Sequence, residues 1–179
     1  MSICFYSAQS PEIVTSKEKF GIQDQGMQIA TLIEDSDLDS CECIIINNKV
    51  ITLNFTPIDK LIPLKKQNGD DDKRCDAMLF IKDSAILFIE LKKNNWQDKN
   101  GEICERYAEE KLEQLKSTIQ HFKRWHPIDF KNRKIIKQAH LTNIIRPHFE
   151  FQDIKITEGF ESETKFILFT SREITTDNI

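Results

Sequence analysis

The chain is short of the residues that interrupt or staple a fold. Glycine and proline number five each among 179 residues and form no linker-like cluster, so nothing divides the sequence into separate units. It also lacks internal repeats and low-complexity tracts, which excludes a repeat architecture. No apolar run approaches the ~20 residues of a membrane span. The opening stretch, MSICFYSAQSPEIV, has neither the charged head nor the long apolar core of a secretory signal. The expectation is a cytoplasmic protein with no membrane contact, built as a single domain over 1–179. Five cysteines (Cys4, Cys41, Cys43, Cys75 and Cys104) make an odd set at irregular spacing, which does not suit a disulfide framework. The pair in CEC could give two thiolates to zinc or an iron–sulfur cluster, completed by Cys75, Cys104 or His121. With no CxxC pair beside it, small residues in strands of a reduced protein are the preferred reading.

What is present is unevenly charged. The net charge is −4, but residues 1–59 hold 3 basic and 9 acidic residues, residues 60–149 hold 19 and 13, and residues 150–179 hold 3 and 7. An acidic first third suits a protein partner, whereas the basic middle is the part suited to a polyanion. Within that middle, from Lys116 to Lys137, lie Lys116, Lys123, Arg124, Lys131, Arg133, Lys134 and Lys137, against Asp129 alone. Trp125, His121 and His126 are interleaved. This strip is a candidate phosphate-contacting surface beside a site, and a solvated helix end is the alternative. His121 and His126 are weak candidates for metal ligation. GDDDK at 69–73 has the look of a calcium loop but lacks the later ligands, and a polar turn is the better reading.

Periodicity supplies the elements. Residues 26–38 (GMQIATLIEDSDL) fit a short helix ending in acids. CECIIINNKVITLNF reads as two strands around a hairpin turn at Asn47-Asn48. Residues 56–74 read as loop. In CDAMLFIKDSAILFIELKK, residues 75–93, two apolar runs flank Lys82-Asp83-Ser84. Both faces of the second run are apolar until its end, the pattern of a central strand covered on both sides. Ala108, Leu112, Leu115, Ile119 and Phe122 then form a 4-3-4-3 stripe on a helix over 105–124. KIIKQAHLTNII and TKFILFTSREI read as two later strands. The order predicts an α/β fold, a mixed central β-sheet flanked by helices.

The central hairpin carries its charges at one end: Asp76 opens the first strand, and Glu90 and Lys92 close the second. If residues 82–84 form a three-residue loop, Asp76 lies opposite Glu90 on one face, whereas a two-residue loop would put them on opposite faces. Three chemistries are open to such a group. It could be an exposed strand end with a weak ion pair. It could be a site where two carboxylates hold Mg²⁺ beside an ammonium. A carboxylate pair for acid/base work is the third, weakened by the adjacent lysine.

Asp at the start of one strand, then Glu-x-Lys at the end of the next, resembles the core motif of the PD-(D/E)XK nuclease superfamily. The resemblance covers roughly residues 75–125, including the amphipathic helix. It implies a restriction-endonuclease-like core, with Asp76 and Glu90 as ligands of Mg²⁺ (or Mn²⁺) and Lys92 as the catalytic lysine. It further implies cleavage of DNA, with RNA left open, by an endonuclease rather than an exonuclease. Cys75 stands where the motif has proline. Family members often add an acid from an early helix, for which Glu34 is the candidate. Some carry Gln and Tyr on the helix after the lysine; Gln114 is present, position 118 is Thr, and Gln114 reads as a surface residue. Two cuts in a duplex would call for a homodimer. A catalytically silent nuclease-fold module, binding nucleic acid or a protein in the manner of an immunity protein, is the rival expectation.

Overall fold

The computed structural model describes residues 4–6, 12–14, 17–26, 28–34, 37–92, 105–145 and 154–179. Among the described residues ten strands fall into two mixed sheets. The larger has β1 (Glu12–Val14), β5 (Leu53–Pro57), β6 (Ala77–Ile81), β7 (Ala85–Glu90), β8 (Ile136–Leu141) and β9 (Ile167–Phe169), in that spatial order. The pairs β1–β5, β5–β6 and β6–β7 are antiparallel, and β7–β8 and β8–β9 are parallel. The smaller sheet has the order β10 (Glu173–Thr175), β4 (Cys43–Ile46), β2 (Lys19–Gln23), β3 (Thr31–Glu34). The helices are α1 (Glu105–Trp125), α2 (Pro127–Lys131) and α3 (Ile154–Thr164). Among the described residues no helix is long and apolar enough to cross a membrane.

All six residues of β7 are buried, as its two apolar faces require of a strand between two neighbours. Its even positions, Ile86 and Phe88, join Met78, Leu112, Leu115, Ile119 and Phe122 in a core under α1. Its odd positions, Leu87 and Ile89, face Phe20, Ile22, Cys43 and Ile45 of the smaller sheet. The central sheet is therefore covered by helices on one face and by a second sheet on the other, where sequence predicts helices alone. All five stripe residues of α1 are buried, none more than 3 % exposed. Pro127 then starts α2, where its missing N–H costs nothing.

Three other expectations fail on local grounds. Residues 31–34 pair with β2 as a strand, because a short apolar run fits either period and Thr, Leu and Ile suit a sheet. Asn47-Asn48 is no hairpin turn, since β4 and β5 belong to different sheets. Asn47 is buried and steers the crossing, donating to the carbonyls of Lys17 and Ile51 and accepting from the Ile51 N–H and the Thr176 hydroxyl. TKFILFTSREI likewise splits into β9 and β10, one in each sheet.

Gly21 of β2 meets the loop before β4 so closely that an added Cβ would lie 2.2 Å from Cys41 Sγ.

Candidate functional site

Ile81 pairs with Ala85 and Ala77 with Ile89, so residues 82–84 are the three-residue loop. Asp83 takes φ +59° at the turn, and the Ser84 N–H donates to the Ile81 carbonyl. One step further along that register, Asp76 stands opposite Glu90. By strand alternation Asp76, Glu90 and Lys92 share the face of Met78 and Phe88, the face packed on α1.

Asp76 is half-buried. Its Oδ2 accepts the Leu91 N–H at 2.6 Å. Desolvation pushes its carboxyl up to about 6, against the pull of that hydrogen bond, with the charge of Asp24 adding to the rise. Glu90 is 1 % exposed. Desolvation first, and then the charge of Asp76, drive its carboxyl well above the ordinary range, against Lys111 and Lys92.

Lys111, from the second turn of α1, enters this group with its Nζ 3.0 Å from Glu90 Oε1. The contact lies off the ideal line of a hydrogen bond, and Oε2 of Glu90 is buried with no hydrogen-bond partner. The two lysines are driven apart. Burial lowers Lys92, and adjacent Lys111 lowers it further. Burial also pulls on Lys111, but the attraction of Glu90 and a hydrogen bond with Lys92 outweigh it, and Lys111 is raised. Lys111 thus holds its proton more firmly than Lys92.

Lys111 belongs to a polar seam that flanks the apolar stripe at matching spacing: Lys111, Gln114, Thr118 and His121. Lys111 donates to Gln114 Oε1. Gln114 Nε2 donates to the Arg74 carbonyl at 3.3 Å. The Thr118 hydroxyl accepts the Cys75 N–H at 2.8 Å and donates to the Gln114 carbonyl. His121 Nε2 lies 3.0 Å from Asp72 Oδ2. The seam fastens α1 to the segment that delivers Asp76 into β6. Gln114 is accordingly half-buried and engaged, where sequence predicts a surface residue.

Other expected site residues fall elsewhere. Glu34 is exposed at the end of β3 and pairs with Lys17 at 3.6 Å; it lies on a strand rather than a helix. The early acid whose charge reaches Asp76 is Asp24, held where its N–H donates to Glu42 Oε2. Lys123, Arg124, Lys131, Arg133 and Lys134 are exposed but not beside the carboxylates. Arg124 is thirteen residues past Lys111, about 20 Å along the axis at 1.5 Å per residue. That end of α1 meets the 82–84 turn through Phe122, Tyr6 and Phe80. Lys116 is tied to Glu113 and Glu163 at 3.3 and 3.1 Å. His126 accepts the Phe5 N–H and stacks on Phe122. Cys41, Cys43 and Cys75 are buried free thiols, and Cys104 lies outside the described residues. Residues 69–73 form the polar turn, with Lys65 on Asp71 at 2.8 Å. A groove of about 550 Å³ between α1 and α3, lined by Lys73, Glu109, Glu113, Lys116 and Glu163 among others, holds none of the charged cluster.

Among the described residues no three or more His, Cys, Asp or Glu side chains converge as a metal-holding group. A site for a hard cation would therefore rest on two carboxylates, within the one or two that Mg²⁺ commonly takes from protein. Glu90 suits that use, having two buried oxygens without a directed donor.

Comparison with family models, curated proteins and solved structures returned no match.

Proposed function

We propose that the protein is a metal-dependent phosphodiester hydrolase acting on DNA, a nuclease of the PD-(D/E)XK kind with a restriction-endonuclease-like core. The observation that carries this is the register that sets Asp76 opposite Glu90, with Lys92 two residues on and the carboxylate of Glu90 buried without a directed donor. Burying two carboxylates side by side costs stability, and a cation-binding site gives that cost a use. The hairpin, the helix and the parallel strand that follow in order support the same reading.

Asp76 and Glu90 would hold Mg²⁺ or Mn²⁺, which when bound would polarise the phosphodiester and make its water a better nucleophile. Lys92, projecting from the same face, donates to a phosphoryl oxygen and compensates the charge that grows there as water oxygen bonds to phosphorus and the ester oxygen leaves. Its lowered proton affinity also suits it to pass a proton within the site. The seam from Lys111 to His121 positions Asp76 from behind. DNA rises 3.4 Å per base pair, so a duplex seated at the carboxylates would reach the basic end of α1 about six base pairs away. Cutting both strands would take a second copy.

The Glu90–Lys111 contact also favours a second reading, because a carboxylate already compensated by an ammonium has no need of a metal. On that reading the protein is a silent nuclease-fold module that binds nucleic acid, or a protein partner through its acidic first third.

Incubation with plasmid and single-stranded DNA in Mg²⁺, Mn²⁺ or EDTA separates the two. The nuclease reading expects metal-dependent cleavage that falls by ~10²–10³ in Lys92→Ala, the usual loss for one transition-state donor. DNA binding that weakens with salt should persist in that variant. Binding without cleavage under every condition would instead select the silent module.

A further inference from the structure

Lys111 brings a second ammonium to a pair of carboxylates that already faces Lys92. If all four groups are charged, the cluster is neutral, and a divalent ion added to it would put three cations on two carboxylates. One must leave. Lys92 continues β7, and its carbonyl is held by the Ile144 N–H at 3.1 Å. Lys111 has a four-carbon stem on a helix surface and keeps 23 % of its side chain exposed, so it can swing without moving its backbone. Its hold on Glu90 is a single ion-pair contact, to Oε1. It also already donates to Gln114 Oε1, an acceptor that would keep the ammonium satisfied after it left Glu90.

We propose that Lys111 is a tethered stand-in for the divalent ion: its ammonium compensates Glu90 in the metal-free protein, and metal binding displaces it from Glu90 onto Gln114. This rests on the metal-dependent reading of the site and adds a built-in competitor to it. The device keeps a buried carboxylate from standing uncompensated, which is strongly unfavourable. It also sets the metal concentration at which the site becomes occupied.

The test is calorimetric titration of Mn²⁺ into the protein without nucleic acid, at pH 8.5 so that protons compete little. It compares wild type, Lys111→Met, Gln114→Leu and the double variant, each shown folded by near-UV circular dichroism. Lys111→Met should bind Mn²⁺ at least tenfold more tightly than wild type, because the competitor is gone. Gln114→Leu should bind more weakly, because the displaced ammonium loses its second acceptor. The double variant should match Lys111→Met, since Gln114 acts only through Lys111. If Lys111→Met does not fold, Lys111→Gln takes its place in the cycle.

Unchanged or weaker binding in the Lys111 variant would overturn the competitor role and leave the metal site standing. So would a double variant as weak as Gln114→Leu, which would mark Gln114 as a plain support of Asp76. Absence of Mn²⁺ binding in all four proteins would overturn the metal reading itself.

Discussion

Asp76→Asn should make the protein more stable, and only above a particular pH. Burial lifts the Asp76 carboxyl from its ordinary 3.8 to about 6. Between those values the folded protein keeps a proton that the unfolded chain has released, so folding loses stability as pH rises through that window. At 1.36 kcal/mol per pH unit, the loss is at most about 3 kcal/mol. It is smaller in practice, since Asp76 is only half-buried and solvent at the strand end relieves part of it. Asparagine keeps an oxygen to accept the Leu91 N–H and carries no charge. The measurement is urea unfolding of both proteins in EDTA at pH 4, 5, 6 and 7. The two should be equally stable at pH 4, with the variant ahead by 1–3 kcal/mol at pH 7 by the same linkage. Taking the difference cancels the titrations that Asp76 does not touch, while Glu90, relieved of the Asp76 charge in the variant, adds to the gain at high pH. A variant less stable at pH 7, or an offset that does not change with pH, would refute the claim that desolvation governs this carboxyl.

Leu115 is fully buried between α1 and the sheet, so Leu115→Ala should cost about 2–5 kcal/mol in the same assay. Gly21→Ala forces a Cβ to within 2.2 Å of Cys41 Sγ; it should destabilise by more than the ~1–3 kcal/mol of ordinary overpacking, with partial rescue by Cys41→Ala. His140 is buried against Phe169 and held neutral, its pKa lowered by burial from 6.5 to about 3. The unfolded chain takes up that proton first, so wild type should lose stability as pH falls from 6.5 towards 3, and His140→Leu should flatten the decline.

Sequence was most informative where geometry is local. Three residues between two apolar runs set a register, and that register alone brings Asp76 opposite Glu90. A 4-3-4-3 stripe likewise settles which face of α1 is buried. The seam beside it was legible in principle, since Lys111, Gln114, Thr118 and His121 repeat at 3-4-3. Polar side chains at helical spacing ordinarily mark a solvated face, however, and only the segment 72–75 packed alongside shows otherwise. Asn47 misled because its turn chemistry is real but serves a crossing between sheets. The acid near Asp76 could not be chosen from sequence, because Asp24 and Glu34 both lie at strand ends of the smaller sheet and pairing decides which approaches. The distance of the basic strip from the carboxylates was hidden for a similar reason: neighbours along α1 need not be near its other end, and the helix carries those charges about 20 Å off. α3 was missed altogether, because its apolar residues are too sparse to stand out from loop.

The most direct test sets wild type beside Asp76→Asn on supercoiled plasmid with Mn²⁺, using preparations whose stability at pH 7 has been measured. The site described here predicts that wild type nicks the plasmid and that the better-folded variant does not, with EDTA abolishing the wild-type reaction. A wild type that leaves the plasmid intact, or a variant that cuts as fast as wild type, would contradict it.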